Sequence, residues 1–303
     1  MDAGVTVPVT AIVTAFRRID AVLKTLHILR DCEPRPAEIL VHVDGGERAC
    51  AAAITREFPE VTVLVSDGNI GPGGGRNRLV SAATHEWVAS FDDDSYPVDR
   101  DYFSRLVEVF AQFPEAWVID ARVFHLGERI EPDSRAATWV ADFIGCGCAY
   151  RRARFLETGG YVPVPTAYGM EEVDVALRLH ALGGRVLRSR WLRVFHDTDL
   201  ARHADPAVTA ASIVNIALLA YLRYPRWLWS IAAAQGVKRI GWLVQHRRWR
   251  GVVSGLRGIP AAIRRHRDAR QPISARAVRS YLALRRHPIP VGGERQPVPA
   301  PRG

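Results

Sequence analysis

A chain of 303 residues with 48% hydrophobic residues can bury one large α/β domain with an appendage, or two small domains, and excludes wholesale disorder. Its net charge of +9 is uneven: 18 of the 41 Lys/Arg but only two acids, Asp268 and Glu294, lie from Arg223 onward, leaving +16 in the tail and −7 before it. An acidic body with a basic tail of this kind suits an anionic membrane surface, and no nucleic-acid partner is expected.

The N-terminus has Asp2, no basic stretch, and a first apolar run that reads as a strand rather than a leader. Four cysteines, Cys32, Cys50, Cys146 and Cys148, form no dense framework. The expected setting is therefore cytoplasmic, peripheral on the inner face of the cell membrane.

Along the first hundred residues strands and helices alternate. The run 5–14 is apolar and β-branched and reads as a buried strand. Residues 20–32 place Val22, Leu23, Leu26 and Leu29 at helical spacing. A strand at 38–44, a helix at 48–58 and a strand at 61–66 follow, then a Gly-rich loop at 69–75 and a helix at 76–84. A fourth strand, 87–92, ends in acids. This order predicts a doubly wound, mainly parallel sheet. Further on, a helix is expected at 101–113, strands at 116–124, 138–150 and 186–196, a Pro-rich loop at 162–168 and a helix at 171–182. Beyond Asp205 come helices rich in Ala, Leu, Trp and Arg. Three segments result: a catalytic body at 1–204, a basic, Trp-rich helical extension at 205–287 and a disordered tail at 288–303.

In such sheets ligands sit beyond the carboxyl ends of the strands. There stand Asp92, Asp93 and Asp94, three consecutive carboxylates whose mutual repulsion a divalent cation would relieve. A solvated turn capping the next helix is the plainer alternative. Glu171, Glu172 and Asp174 open a helix, where acids also suit the dipole, and a carboxylate there can take a proton from an acceptor hydroxyl. Asp174 and Arg178 are spaced to pair. The glycines from Gly71 to Gly75 could let a diphosphate approach backbone N–H groups. They follow the third strand and are succeeded by Arg76, which excludes a dinucleotide fingerprint, and no P-loop is present. His196 ends a strand ahead of Asp197. Cys146 and Cys148 lack the partners of a zinc site and read as part of a tight turn.

Taken in order, these segments resemble the family 2 inverting glycosyltransferases of GT-A fold, over 5–203. The resemblance implies a GT-A sheet and a nucleotide-sugar donor, with Mn²⁺ or Mg²⁺ held by Asp92, Asp94 and His196. It implies donor contacts from Thr14, Ala15, Arg17, Asp44, Asn69, Gly71, Arg76, Asp92 and Asp93. It implies an acceptor side at Gly145, Cys146, Gly147 and Asp174, and a base at Glu172 or Glu171. Glu172 stands where the family usually has Asp, which leaves that choice open. The reaction implied is transfer of a sugar, with UDP the first donor nucleotide to consider, to a hydroxyl of a glycan, a lipid-linked or a small-molecule acceptor. The competing classes are an inactive nucleotide-binding scaffold and a sugar-nucleotide nucleotidyltransferase; the latter wants glycines directly after the first strand, where Thr14–Arg17 stand. Ala207–Leu222 is uncharged but short for a span and reads as a helical cap, whereas the Trp- and Arg-rich helices after it suit a lipid headgroup layer.

Overall fold

The computed structural model describes residues 5–164, 170–198 and 205–291. Strand β1 (Thr6–Ala15) is buried from Val9 onward because its β-branched run lies inside the sheet. It pairs in parallel with β2 (Arg35–Val43) on one side and β4 (Trp87–Asp92) on the other, and β2 pairs in parallel with β3 (Thr62–Val65). Helices α1 (Ile19–Arg30), α2 (Arg48–Glu57) and α3 (Gly71–Ala82) make the crossovers.

Beyond β4 the sheet continues through β8 (Cys148–Arg151), antiparallel to both β4 and β6 (Ala116–His125). Strand β6 runs parallel to β9 (Arg185–His196), and β7 (Ala137–Val140) lies antiparallel at the far side of β9. The short β5 (Ser95–Pro97) pairs with the end of β9, setting Ser95 opposite His196. One apolar layer buries α1, α2 and α4 (Tyr102–Gln112) against the sheet through Leu26, Ile54 and Phe103. The other buries α3, α5 (Arg152–Glu157) and α6 (Glu171–Ala181) through Leu79, Phe155 and Leu177. Helices on both faces make the doubly wound architecture expected from the alternation of elements.

The structure departs from the sequence reading in three places. The glycines at 71–75 are the first turn of α3 and not a loop ahead of it. Glycine is a poor helix former, but here bulk is excluded: a methyl on Gly73 would lie 2.4 Å from a Glu171 oxygen, and one on Gly75 2.6 Å from His42 Nδ1. The expected strand 138–150 is two strands, β7 and β8, separated by the tight turn Gly145–Gly147. Finally, residues 289–291, expected in the disordered tail, return to the sheet, where β10 (Ile289–Val291) pairs with β7. Within the expected helical extension, α10 (Ala275–Arg286) buries Val278 and Tyr281 in the same layer as α6. Residues 292–303, Gly169 and most of the Pro-rich loop lie outside the described residues.

Between these parts run α7 (Pro206–Arg223), α8 (Trp229–Gln245) and α9 (Val252–Arg265). Among the described helices α7 alone is long and apolar enough to cross a membrane, with mean hydropathy 1.4. It packs instead as a cap, burying Ile213, Asn215, Leu218, Leu222 and Arg223.

Candidate active site

The carboxyl ends of β1, β2 and β4 open into one pocket lined by Thr14, Ala15, Phe16, Arg18, His42, Asp44, Asn69, Gly71, Asp92 and Asp93. Its walls are set by the backbone. Asp44 N–H donates to the Ala15 carbonyl at 3.0 Å and Asp93 N–H to the Thr14 carbonyl at 3.0 Å, so both acids begin where the β1 ladder stops. Asp44 then shapes the far wall. Its carboxylate accepts from Ser66 Oγ at 2.8 Å and from the N–H groups of Ile70 and Gly71 at 3.0 and 2.9 Å. Asn69 Oδ1 also accepts from Gly71 N–H at 3.0 Å. These bonds hold Gly71 at φ +73°, a conformation glycine adopts without strain.

The three consecutive acids divide the local cations between them. Asp92 Oδ1 accepts from Thr14 Oγ1 at 3.1 Å and pairs with Arg76, which is buried and also bonds Ser90 Oγ at 3.0 Å. Arg18 pairs with both Asp93 and Asp94. Burial, with Asp92 and Asp94 on either side, pushes the Asp93 carboxyl up to about 7 despite Arg18. Burial also acts on Asp94, yet His196 and Arg18 hold its carboxyl below the ordinary range.

Asp94 Oδ1 is buried and, among the described residues, has no polar partner apart from His196 Nε2 at 3.2 Å. A buried carboxylate oxygen whose one neighbour is an imidazole fits a bound cation. Ligand atoms of Asp92, Cys146 and His196 also lie within 4.8 Å of one another. Burial raises the Cys146 thiol well above its ordinary value, so it stays protonated and is a poor partner for a hard cation. The oxygen and nitrogen donors Asp92, Asp94 and His196 remain the fitting set.

Helix α6 presents its first two acids differently. Glu171 is fully buried under the glycine turn of α3, and its Oε1 accepts from Val164 N–H at 3.2 Å. Burial and the neighbouring charge of Glu172 push it up to about 8. Glu172 instead reaches the Gly145 turn: a methyl on Gly145 would meet Glu172 Oε1 at 2.7 Å and Arg76 Cζ at 3.0 Å. Glu172 and the Arg76 guanidinium thus both flank Gly145, and Arg76 pairs in turn with Asp92. Burial raises the Glu172 carboxyl above its ordinary value against the attraction of Arg76.

The Gly145–Gly147 turn is fixed from three sides. Ser90 Oγ donates to the Gly145 carbonyl at 2.9 Å, Ser95 Oγ to the Cys146 carbonyl at 2.8 Å, and Ile144 N–H to Asp120 at 3.0 Å. Gly147 admits Val123, which would lie 2.7 Å from an added methyl.

Two expected residues sit elsewhere. Asp174 does not face the acceptor side. It is fully buried on the opposite flank of α6, paired with Arg178 at 2.6 Å and with Arg223 of α7 at 2.5 Å. An ion pair at helical spacing and a third partner from outside the body account for it completely. Arg17 turns outward to Glu47 at 3.3 Å, and its neighbour Arg18 lines the pocket in its place. No motif in the sequence marks Arg18 or His42. A second basic residue beside Arg17 was a signal for the first. His42 had none, since only β2's register turns it toward Gly75 and the pocket.

Residues 10–159 match the profile described as glycosyl transferase family 2. The succinoglycan biosynthesis protein ExoO of Rhizobium meliloti (strain 1021) is 31% identical over 101 residues, 33% of this chain and 29% of that protein. The chain thus spans under a third of that relative's length. Among solved structures, the mannosyltransferase PcManGT from Pyrobaculum calidifontis, in complex with GDP-Man and Mn²⁺, superposes with a TM-score of 0.57 at 17% identity, covering 91% of this chain and 79% of that one. GalNAc-T7 with UDP, GalNAc and Mn²⁺ gives 0.58 at 14% identity over 75% of this chain and 49% of that one. S. aureus TarS 1–349 in complex with UDP-GlcNAc gives 0.57 at 14% identity over 85% and 82%. Residues 10–159 belong to glycosyl transferase family 2, and the fold is GT-A.

Proposed function

We propose that this family 2 chain transfers a sugar from a nucleoside-diphosphate sugar, UDP first, to an acceptor hydroxyl of a glycan, a lipid-linked or a small-molecule substrate. The observation that carries the reading is the arrangement Glu172–Arg76–Asp92: a carboxylate with a raised pKa on one side of a cleft, and an acidic cluster on the other.

The pocket between Phe16, His42 and Asn69 takes the nucleoside, and the glycine turn of α3 lets the diphosphate approach. Glu172 accepts the proton of the acceptor hydroxyl as its oxygen attacks the anomeric carbon and the bond to the diphosphate breaks. Asp92, Asp94 and His196 would hold a divalent cation, Mn²⁺ or Mg²⁺, that offsets the charge on the departing diphosphate. Arg76 keeps Glu172 and Asp92 in register across the cleft. Glu171 stays protonated near neutrality and supports the turn, so Glu172 is the base. The PcManGT, GalNAc-T7 and TarS complexes contain nucleotides or nucleotide sugars, and two of them Mn²⁺, which supports both the donor class and the cation.

Thermal unfolding with UDP, dTDP, GDP and NAD, each with Mn²⁺, Mg²⁺ or EDTA, tests this. Ligand at 100 times Kd adds about 2.7 kcal/mol, a rise of several degrees. The expected result is a shift for one nucleoside diphosphate that is lost in EDTA and in Asp94→Ala. A shift with NAD alone, or with no nucleotide, overturns the reading.

A further inference from the structure

The helices α8 and α9 are apolar, yet almost nothing covers them. Of the seventeen residues of α8 only Leu243 is buried, and of the fourteen of α9 only Gly255. Val237 is 70% exposed, Trp249 61% and Val253 60%, and Val244 and Leu256 are exposed as well. The helices are nevertheless well seated at their base. A methyl on Gly251 would lie 2.2 Å from the Pro206 carbonyl and one on Gly255 2.9 Å from the Ala210 carbonyl, so α9 presses directly on α7. What stays open is an apolar groove between the three helices, walled by Ile216, Tyr221, Trp229, Ile240, Ile259 and Ile263. An apolar face of this kind marks an interaction surface.

Charge selects the partner. From Pro206 to Arg267 there are 11 Lys/Arg and no acid. Two of these cations stand over aromatic rings, Arg239 4.7 Å from the Trp242 ring and Arg250 5.9 Å from Trp249, and just beyond them Arg270 lies 5.5 Å from Trp229. A second copy of the chain would bring like charges together. A nucleic acid would satisfy the arginines and the indoles but offers nothing to Val237, Val244, Val253 and the isoleucine walls. An anionic bilayer offers phosphate charge, an interfacial layer suited to Trp and Arg, and hydrocarbon for the aliphatic groups, all on one face.

We propose that α8 and α9 dock the protein on an anionic lipid surface, with Trp249, Val237 and Val253 entering the headgroup–acyl boundary and the groove between α7, α8 and α9 taking an acyl chain. The inference is independent of the reaction assigned to the cleft.

Flotation with vesicles containing about 30 mol% phosphatidylglycerol, against pure phosphatidylcholine, tests it on the full chain. Binding is expected to the anionic vesicles, to weaken by at least about tenfold when Arg247→Gln and Arg250→Gln are combined, and to fall as salt rises. Trp249→Ser, Val237→Ser and Val253→Ser together should lower it by at least about tenfold as well, at low salt. These side chains are exposed, so the unfolding midpoint and the nucleotide-induced shift of both variants should match those of the parent, which separates failure here from failure in the cleft. Equal binding of parent and variants, or no binding to anionic vesicles, overturns the proposal. So does tighter binding to single-stranded RNA, or a concentration-dependent dimer that shields Trp249 from a soluble quencher.

Discussion

Arg223, the last residue of α7, lays its guanidinium on Asp174 of α6, with Nε 2.5 Å from Oδ1 and Nη2 3.1 Å from Oδ2. Both side chains are buried, and Asp174 also receives Arg178, whose guanidinium continues to the carbonyls of Thr158 and Gly160. The helix that carries Glu172 is thereby tied on one flank to the Gly159–Gly160 turn and to the C-terminal helices. Asp174 is the one carboxylate shared by two buried guanidiniums, and removing it leaves both unpaired, which costs about 3–5 kcal/mol. Asp174→Asn should lower stability by roughly that amount in urea unfolding. Arg223→Met should cost less, because Asp174 keeps Arg178, and adding it to Asp174→Asn should recover part of the loss. If each single change and the double change cost the same small amount, the pair is not holding the helix.

Glu172→Gln keeps the side-chain volume and loses the acceptor for a proton. Turnover should fall by about 10²–10⁴, while the thermal shift produced by nucleoside diphosphate stays unchanged. In the parent, burial raises the Glu172 carboxyl above its ordinary value. The acid limb of the pH–rate profile should therefore lie above that value, with activity lost as pH falls through it. Glu171→Gln, by contrast, should leave turnover within about tenfold. If Glu171→Gln abolishes turnover and Glu172→Gln does not, the two roles are exchanged.

The strand ends were legible because alternation of apolar and helical segments predicts a doubly wound sheet, and such a sheet says where to look. Asp44, Asp92, Asp93, Thr14 and Ala15 all fall on the pocket that this rule locates. Position along an element was harder. Asp174 lies two residues beyond Glu172, and on a helix that turns it to the other flank, where Arg223 waits 49 positions away in sequence. No local pattern links a carboxylate near the start of one helix to a lone arginine at the end of another. The glycines before Arg76 hide their helix for a related reason. Their helix propensity argues for a loop, and only the packed positions of Glu171 and His42 make the absence of a side chain worth the cost.

His42 offers a prediction with opposite signs in two assays. Its Nε2 is buried without a hydrogen-bond partner while the ring lines the pocket at the strand ends, and burial holds its imidazole below the ordinary value, so it is neutral near pH 7. An unpaired buried polar atom costs about 1–3 kcal/mol, which a ligand that pairs with it returns. His42→Leu should therefore leave the chain without nucleotide as stable or more so. The same change should weaken nucleoside diphosphate binding by about tenfold, read by titration calorimetry. Unchanged affinity would remove His42 from the donor site.

The buried carboxyl of Glu171 fixes how stability depends on pH. Its folded value is pushed up to about 8 from the unperturbed 4.5. Between these values the folded chain retains a proton that the unfolded chain has released, so stability declines as pH rises through that window. Below it both states hold the proton and the contribution is complete. Glu171→Gln mimics the protonated form at every pH and keeps an oxygen for the Val164 N–H. The variant and parent should unfold at similar urea concentrations at about pH 4, and the variant should gain on the parent progressively as pH approaches 8. A gap between the two that is constant across this range would mean that Glu171 is ionised in the folded chain, and that the turn of α3 carries a carboxylate rather than a carboxylic acid.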